Sequence, residues 1–162
     1  MLRDKNLIPL SRQHQHALAL CVRIERGLHS DQVDLIAWQT EIQAIFEQEI
    51  GTHFSAEEEV LFPAASRFPE LSATVEELRA EHRALRDLFR RAGSHELERT
   101  DLAVFGESLA KHIRKEERVL FEGMQKAMSA EELARLGREL DGLLKVTTCL
   151  LPSEATQLRP RQ

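Results

Sequence analysis

The chain has 162 residues, of which 42% are hydrophobic and 30% charged, with a formal net charge of −5. This length suits one domain with a core, and the interspersed charges leave no basic stripe for DNA or RNA, so we exclude nucleic acid as a partner. No stretch has the apolar length of a membrane span, and the charged residues 1–6 are atypical of a signal peptide, so we expect a cytoplasmic protein without a membrane partner.

Periodic apolar residues predict two helices in the first half of the chain. Ser11 is predicted to cap a first helix that ends near Gly27. A second helix can begin near Ser30. A later start, after a loop that reaches the mid-thirties, is favoured because an earlier start would place the histidines of the two helices at different heights along the bundle. We expect this helix to bend or end near Pro63.

Two further helices are predicted in the second half. Thr74 with Glu77 forms a capping-box pattern at the start of a third helix, which ends at Gly93. A fourth helix starts between His95 and Asp101. No segment shows the alternating pattern of a β-strand.

A shorter fifth helix is predicted after the capping box formed by Ser129 and Glu132. Four leucines on one face are expected to cover the bundle: Leu133, Leu136, Leu140 and Leu143. The fold class is therefore all-α, an up-down-up-down four-helix bundle with an additional C-terminal helix. Residues 1–150 form the predicted domain, and residues 151–162 a flexible tail.

The cysteines give no sign of a disulfide or of a thiolate metal site. Cys21 and Cys149 lie far apart and near no other metal-binding spacing. We expect two reduced thiols.

A ten-residue unit occurs twice in the chain. Residues 53–62 recur as residues 112–121 with six of the ten positions identical. Each copy contains a His-x-x-x-Glu unit, which in an α-helix places both side chains on one face. The two pairs are His53 with Glu57, and His112 with Glu116. Turned into a bundle core, they predict a duplicated metal half-site.

Each half needs a further ligand from its other helix. His82 is the only histidine of the third helix and lies on its apolar stripe. The first helix offers His14 and His16, and His14 is favoured because it shares the apolar face. Glu58 and Glu117, rotated by about 140° from the histidines of their own helices, are predicted to face away from the site. His29 and His95 fall in predicted loops.

The predicted ligands are four histidines and two glutamates: His14, His53, His82, His112, Glu57 and Glu116. A single buried histidine is more often a hydrogen-bonded core residue than a ligand. Two carboxylates buried among apolar residues, however, would cost several kcal/mol per charge without a cation. Six ligands exceed the four that a structural zinc takes, so they suit two ions. The mixture of nitrogen and oxygen favours iron or manganese, with zinc possible.

These motifs together resemble the hemerythrin-like, or HHE cation-binding, family over roughly residues 7–125. The signature runs are Ser11-Arg-Gln-His14, His53-Phe-x-x-Glu57-Glu, Glu81-His82 and His112-x-x-x-Glu116-Glu. The resemblance implies a non-haem di-iron centre that binds dioxygen, nitric oxide or peroxide. It also implies the ligand assignment, with His14 and His53 on one iron, His82 and His112 on the other, and Glu57 and Glu116 bridging.

The chain departs from oxygen-carrying hemerythrins at one position. Those proteins have a second histidine one turn after the third-helix ligand, where this chain has Arg86. The missing imidazole puts reversible oxygen carriage in doubt. It leaves sensing, peroxide or nitric-oxide chemistry, or iron handling. Our leading hypothesis is a di-iron protein that binds a small ligand in sensing, storage or a stress response, with iron handling or the repair of iron centres as an alternative.

Two other classes of function remain open, a di-iron oxidase or peroxidase and a metal-stabilised interaction scaffold. Ferritin-like oxidase sites use Glu-x-x-His units, and none of the seven histidines has a glutamate three residues before it. We therefore favour a ligand-binding protein over a dedicated enzyme. The oligomeric state is open, and a homodimer is one option.

Overall fold

The computed structural model describes residues 2–148, and all regular structure in this range is helical. Helix α1 is Ile8–Leu28, α3 is Pro69–Gly93 and α5 is Ala130–Thr148. The other two contain π-helical turns. Helix α2 joins Leu35–Ile45, the π turn Phe46–Ile50, Gly51–Ala56, the π turn Glu57–Leu61 and Phe62–Ala65. Helix α4 joins Arg99–Lys115, the π turn Glu116–Leu120 and Phe121–Ala127. The predicted all-α class, a helical bundle with a fifth helix, is confirmed.

Two of the predicted helix starts are wrong. Helix α1 begins at Ile8, with Pro9 in its first turn, so Ser11 lies inside the helix. Helix α3 begins at Pro69, so Thr74 also lies inside it. Proline suits the first turn because its φ is already helical and its missing N–H has no partner to lose. The prolines, and not the hydroxyl residues, mark these starts.

Three other predicted starts are confirmed. Asp34 caps α2 by accepting a 2.9 Å hydrogen bond from the Ala37 amide, so the preceding loop does reach the mid-thirties. Helix α4 begins at Arg99, inside the predicted window. Ser129 and Glu132 form the predicted capping box before α5, with 2.9 Å between the Ser129 amide and a Glu132 oxygen.

The core consists of two apolar clusters separated by buried polar residues. On α1, Leu10 belongs to one cluster and Ala17 to the other, and on α3 the corresponding pair is Leu78 and Leu85. The histidine of each helix lies between its two cluster residues. On α2 and α4 the histidine likewise lies between residues of the two clusters. The two clusters therefore enclose a polar layer at one level of the bundle.

Helix α5 covers its own bundle, as predicted. Leu133, Leu136 and Leu140 are buried in the cluster that contains Leu10 and Leu78, and Leu143 packs against it partly buried. The predicted tail and Cys149 lie outside the described residues, and Cys21 is buried and forms no disulfide within residues 2–148. Within residues 2–148, no helix combines the length and apolarity that a bilayer crossing requires.

Candidate metal centre

The six predicted ligand residues meet in the polar layer, and all are buried. The exposed fraction is 2% for His14, 1% for each of the other three histidines, and 0% for Glu57 and Glu116. They form two groups of four, and both glutamates belong to both groups. Within each group the candidate ligand atoms lie within 4.8 Å of one another.

The first group joins His14 and His53 to the two glutamates. The Nε2 atoms of the two imidazoles are 3.0 Å apart. Glu57 Oε1 lies 3.2 Å from His53 Nε2, and Glu116 Oε2 lies 3.1 Å from His14 Nε2.

The second group joins His82 and His112 to the other two carboxylate oxygens. Their Nε2 atoms are 3.1 Å apart. Glu57 Oε2 lies 3.4 Å from His82 Nε2, and Glu116 Oε1 lies 3.2 Å from His112 Nε2. Each carboxylate therefore presents one oxygen to each pair of histidines.

Each imidazole is oriented by a hydrogen bond at its other ring nitrogen. The Nδ1 atoms pair with oxygens as follows: His14 with Glu117 at 2.7 Å, His53 with Gln13 at 2.7 Å, His82 with Glu58 at 2.8 Å and His112 with Glu81 at 2.9 Å. An oxygen acceptor requires Nδ1 to carry its proton. Once Nε2 has lost its proton, such a ring directs the Nε2 lone pair into the site, which is how a metal-bound histidine is usually held.

The prediction that Glu58 and Glu117 face away from the site is wrong. A residue next to an inward-facing one lies on the flank of its helix, and in a bundle the flank faces a neighbouring helix. Glu58 therefore reaches His82 on α3, and Glu117 reaches His14 on α1. The sequence reasoning also missed Gln13 as an acceptor. A usable signal was present, since Gln13 and Glu81 immediately precede equivalent histidines.

Two observations indicate that the site fits bound cations. Both oxygens of Glu57 and of Glu116 are buried without a hydrogen-bond partner in residues 2–148. In each pair of histidines, the two Nε2 atoms face each other at the short distances given above, where one cation could bind both.

The electrostatics of the site also favour positive charge. Burial by itself lowers the pKa of His112, but the carboxylate of Glu116 beside it raises the value to about 10. For His14, burial is likewise outweighed by Glu116 and Glu117, and the pKa rises to about 9. The pKa of Glu116 is lowered well below its ordinary value, against its burial, by His112 and His14. A bound metal cation would take the place of these protons.

A family model described as the hemerythrin HHE cation binding domain matches residues 9–124. The chain belongs to the hemerythrin HHE family. Neither the curated proteins nor the solved structures gave a significant match. The match contains all six buried residues of the candidate centre, whereas α5 follows the matched part of this HHE domain.

The histidines outside the centre occupy the predicted places. His16 is exposed, and its Nδ1 contacts Glu49 at 3.1 Å, so His14 is the histidine that α1 brings to the centre of the HHE domain. His29 and His95 are exposed between helices.

Aromatic rings stack on two of the histidines of the HHE centre. Phe121 stacks on His14 with 5.6 Å between ring centroids, and Phe54 stacks on His82 at 3.9 Å. Arg86 lies over the Phe54 ring at 5.5 Å and contacts Glu58 at 3.3 Å. Arg86, one turn after His82, thus contacts both the Nδ1 acceptor of His82 and the aromatic ring that stacks on His82.

Proposed function

We propose that this HHE domain binds two iron ions and uses them to bind dioxygen, nitric oxide or peroxide in sensing, storage or a stress response. One ion would be held by His14 and His53, the other by His82 and His112, with Glu57 and Glu116 shared. The observation that carries the proposal is the pair of buried groups that share both carboxylates.

The donor set supports iron over most other metals. Each group offers two imidazole nitrogens and two carboxylate oxygens. This mixture suits iron and manganese and is compatible with zinc, while the absence of thiolate from both groups disfavours copper(I). Bound ferrous iron would supply electrons and coordination positions to a small oxidant.

The surroundings of the centre support a small and uncharged ligand. All six candidate metal ligands are at most 2% exposed. The stacked rings of Phe54 and Phe121 exclude water from the two histidines that they cover. A molecule of a few atoms can approach such a site, whereas a large or charged substrate would pay a high desolvation cost.

The chain's own residues position the metal ligands before any ion binds. The Nδ1 acceptors on neighbouring helices fix the ring planes and the tautomer of the histidines. Burial keeps competing water from the carboxylates of Glu57 and Glu116. The centre is therefore organised by the fold, which lowers the entropy cost of metal binding.

The test is anaerobic loading of the full chain with ferrous iron, followed by exposure to air, nitric oxide or hydrogen peroxide. We expect about two iron ions per chain and a new near-ultraviolet charge-transfer band on adding at least one of the three ligands. The His112→Ala variant serves as the metal-depleted control. An iron-loaded protein whose spectrum is unchanged by all three would contradict the proposal, and steady turnover of peroxide would favour an oxidase or peroxidase instead.

A further inference from the structure

The two halves of the centre follow one pattern of Nδ1 acceptors. In each half, the residue before the first histidine accepts a hydrogen bond from Nδ1 of the second histidine: Gln13 accepts from His53, and Glu81 accepts from His112. The residue after each shared glutamate accepts a hydrogen bond from a histidine of the other half. Glu117 accepts from His14 Nδ1, and Glu58 accepts from His82 Nδ1. The structure is thus nearly two-fold, and any departure from the pattern distinguishes the two metal positions.

One departure changes a charge. Three of the four Nδ1 acceptors are carboxylates, and the fourth is the neutral amide of Gln13. The His14–His53 position has one carboxylate acceptor, whereas the His82–His112 position has two. The amide oxygen of Gln13 lies as close to its ring, 2.7 Å, as the carboxylates lie to theirs. The two halves therefore differ in chemistry while the geometry is the same.

Each of the three carboxylate acceptors has a cationic partner, and the neutral amide of Gln13 remains the one acceptor of a different type. Arg3 pairs with Glu117, and Arg86 pairs with Glu58, so these two acceptors are matched. Lys115 pairs with Glu81 at 2.5 Å and with the exposed Glu77, so Glu81 is matched as well, and the two halves differ in the kind of acceptor at one Nδ1.

A carboxylate at Nδ1 strengthens the bond that Nε2 makes to a metal. It polarises the ring and raises the basicity of the opposite nitrogen more than a neutral amide does. Mutation of such a partner typically costs about 10- to 100-fold in metal affinity or activity. The single difference between Gln13 and Glu81 is therefore large enough to separate the two positions.

We propose that the two metal positions are unequal, with the His82–His112 position filling first and Gln13 keeping the His14–His53 position about tenfold or more weaker. This inference rests on the proposed function only in requiring two cation positions. In this scheme Gln13 is a positioning residue that sets affinity through His53 and does not touch the ion.

Zinc(II) titration of the metal-free full chain by calorimetry tests the inference, because zinc has no redox chemistry. We expect two separate binding steps in the unaltered protein. Gln13→Glu should tighten the second step by about tenfold and bring the steps together, and Glu81→Gln should weaken the first step by a similar factor. Gln15→Glu is the matched control, since Gln15 is exposed on the same helix and the change adds the same charge.

Two equal steps in the unaltered protein would overturn the inference, as would a Gln13→Glu variant in which the first step tightens. If only one zinc ion binds, recovery of a second in Gln13→Glu supports the inference, and its absence overturns it. Thermal melting of each variant checks the fold, and Gln13→Glu alone decides the matter if Glu81→Gln does not fold. Failure to bind zinc or iron at all would instead refute the proposed function.

Discussion

The two nitrogens of each buried histidine have different roles. Nδ1 bonds to a neighbouring helix and fixes the ring, while Nε2 faces the shared carboxylates. Replacing one of these residues with alanine therefore removes both a metal donor and a contact between helices.

Metal content should depend on His112 and not on His16. We expect His112→Ala to lower the iron content after anaerobic reconstitution by at least about half, because one position loses a nitrogen donor. His16→Ala should leave the content unchanged, since this side chain is 65% exposed and contacts Glu49. Elemental analysis of both purified variants measures the effect. Equal losses in the two would show that His112 is no ligand.

Local spacing was enough to predict which residues gather at the centre. Four-residue spacing on a helix is a property of the sequence itself, so His53 with Glu57 and His112 with Glu116 could be recognised directly. The Nδ1 acceptors could not be assigned in this way, because each bond from Glu58 or Glu117 crosses between helices. The π turns that begin at Glu57 and Glu116 also change the helical rotation, and no residue pattern predicted them.

At the level of the helices, the fold depends on the residue at which each helix begins and on the close contacts between neighbouring helices. Capping pairs were predictable only where the polar residue really precedes the helix. Ser129 does so, while Ser11 and Thr74 lie inside helices whose starts are set by proline.

The start of α4 should give a pH-dependent contribution to stability. The Asp101 carboxylate accepts a 2.9 Å hydrogen bond from the Glu98 amide and a 2.7 Å bond from Arg91. These contacts, the amide bond first, lower the pKa of Asp101 below its ordinary value of 3.8. A lowered pKa stabilises the fold above the unfolded-state pKa, and this contribution is lost as the pH falls through the folded-state value.

We therefore expect Asp101→Asn to lower the melting temperature at neutral pH, with the difference from the unaltered protein closing as the pH falls to about 2. Melting curves followed by circular dichroism across this range provide the measurement. Asp31→Asn, in the exposed loop before α2, is the control. A difference that stays constant with pH would argue against this role for Asp101.

Two glycines of α5 should respond in opposite directions to alanine. A Cβ at Gly137 would lie 2.7 Å from the Cβ of Asn6, while one at Gly142 meets nothing within 4 Å. Gly142→Ala should stabilise the protein by about 0.5–1 kcal/mol through helix propensity. Gly137→Ala should destabilise it by about 1–3 kcal/mol through overcrowding. Urea unfolding measures both, and stabilisation by Gly137→Ala would show that residue 6 does not pack there.

At the scale of the whole molecule, the first residues join distant parts of the bundle. The Arg3 side chain donates to the Gln125 side chain at 2.7 Å and to the carboxylate of Glu117 at 2.6 Å. Leu7 is fully buried in the cluster beneath α5. Hydrophobic periodicity predicted the number of helices and the covering role of α5. It could not predict this contact, which spans more than a hundred residues of sequence.

The Arg3 contact should contribute measurably to stability. Its side chain is 19% exposed, so Arg3→Ala should lower the free energy of unfolding by about 1.5–3 kcal/mol, the range for hydrogen bonds to charged groups. Arg67→Ala is a matched control, since Arg67 pairs with Glu132 at 53% exposure and should cost less than about 1 kcal/mol. Chemical denaturation compares the two. Equal losses would mean that Arg3 acts only as a surface pair.

The repeated His-x-x-x-Glu unit has a consequence for how such a protein can vary. If the bundle were assembled from two identical hairpin chains, every substitution would occur in both of them. The two halves of the site would then remain equivalent. A single polypeptide that contains both copies is free of this constraint. Gln13 and Glu81 occupy corresponding places yet differ in charge. Covalent fusion thus permits separate adjustment of each half while the common architecture is retained.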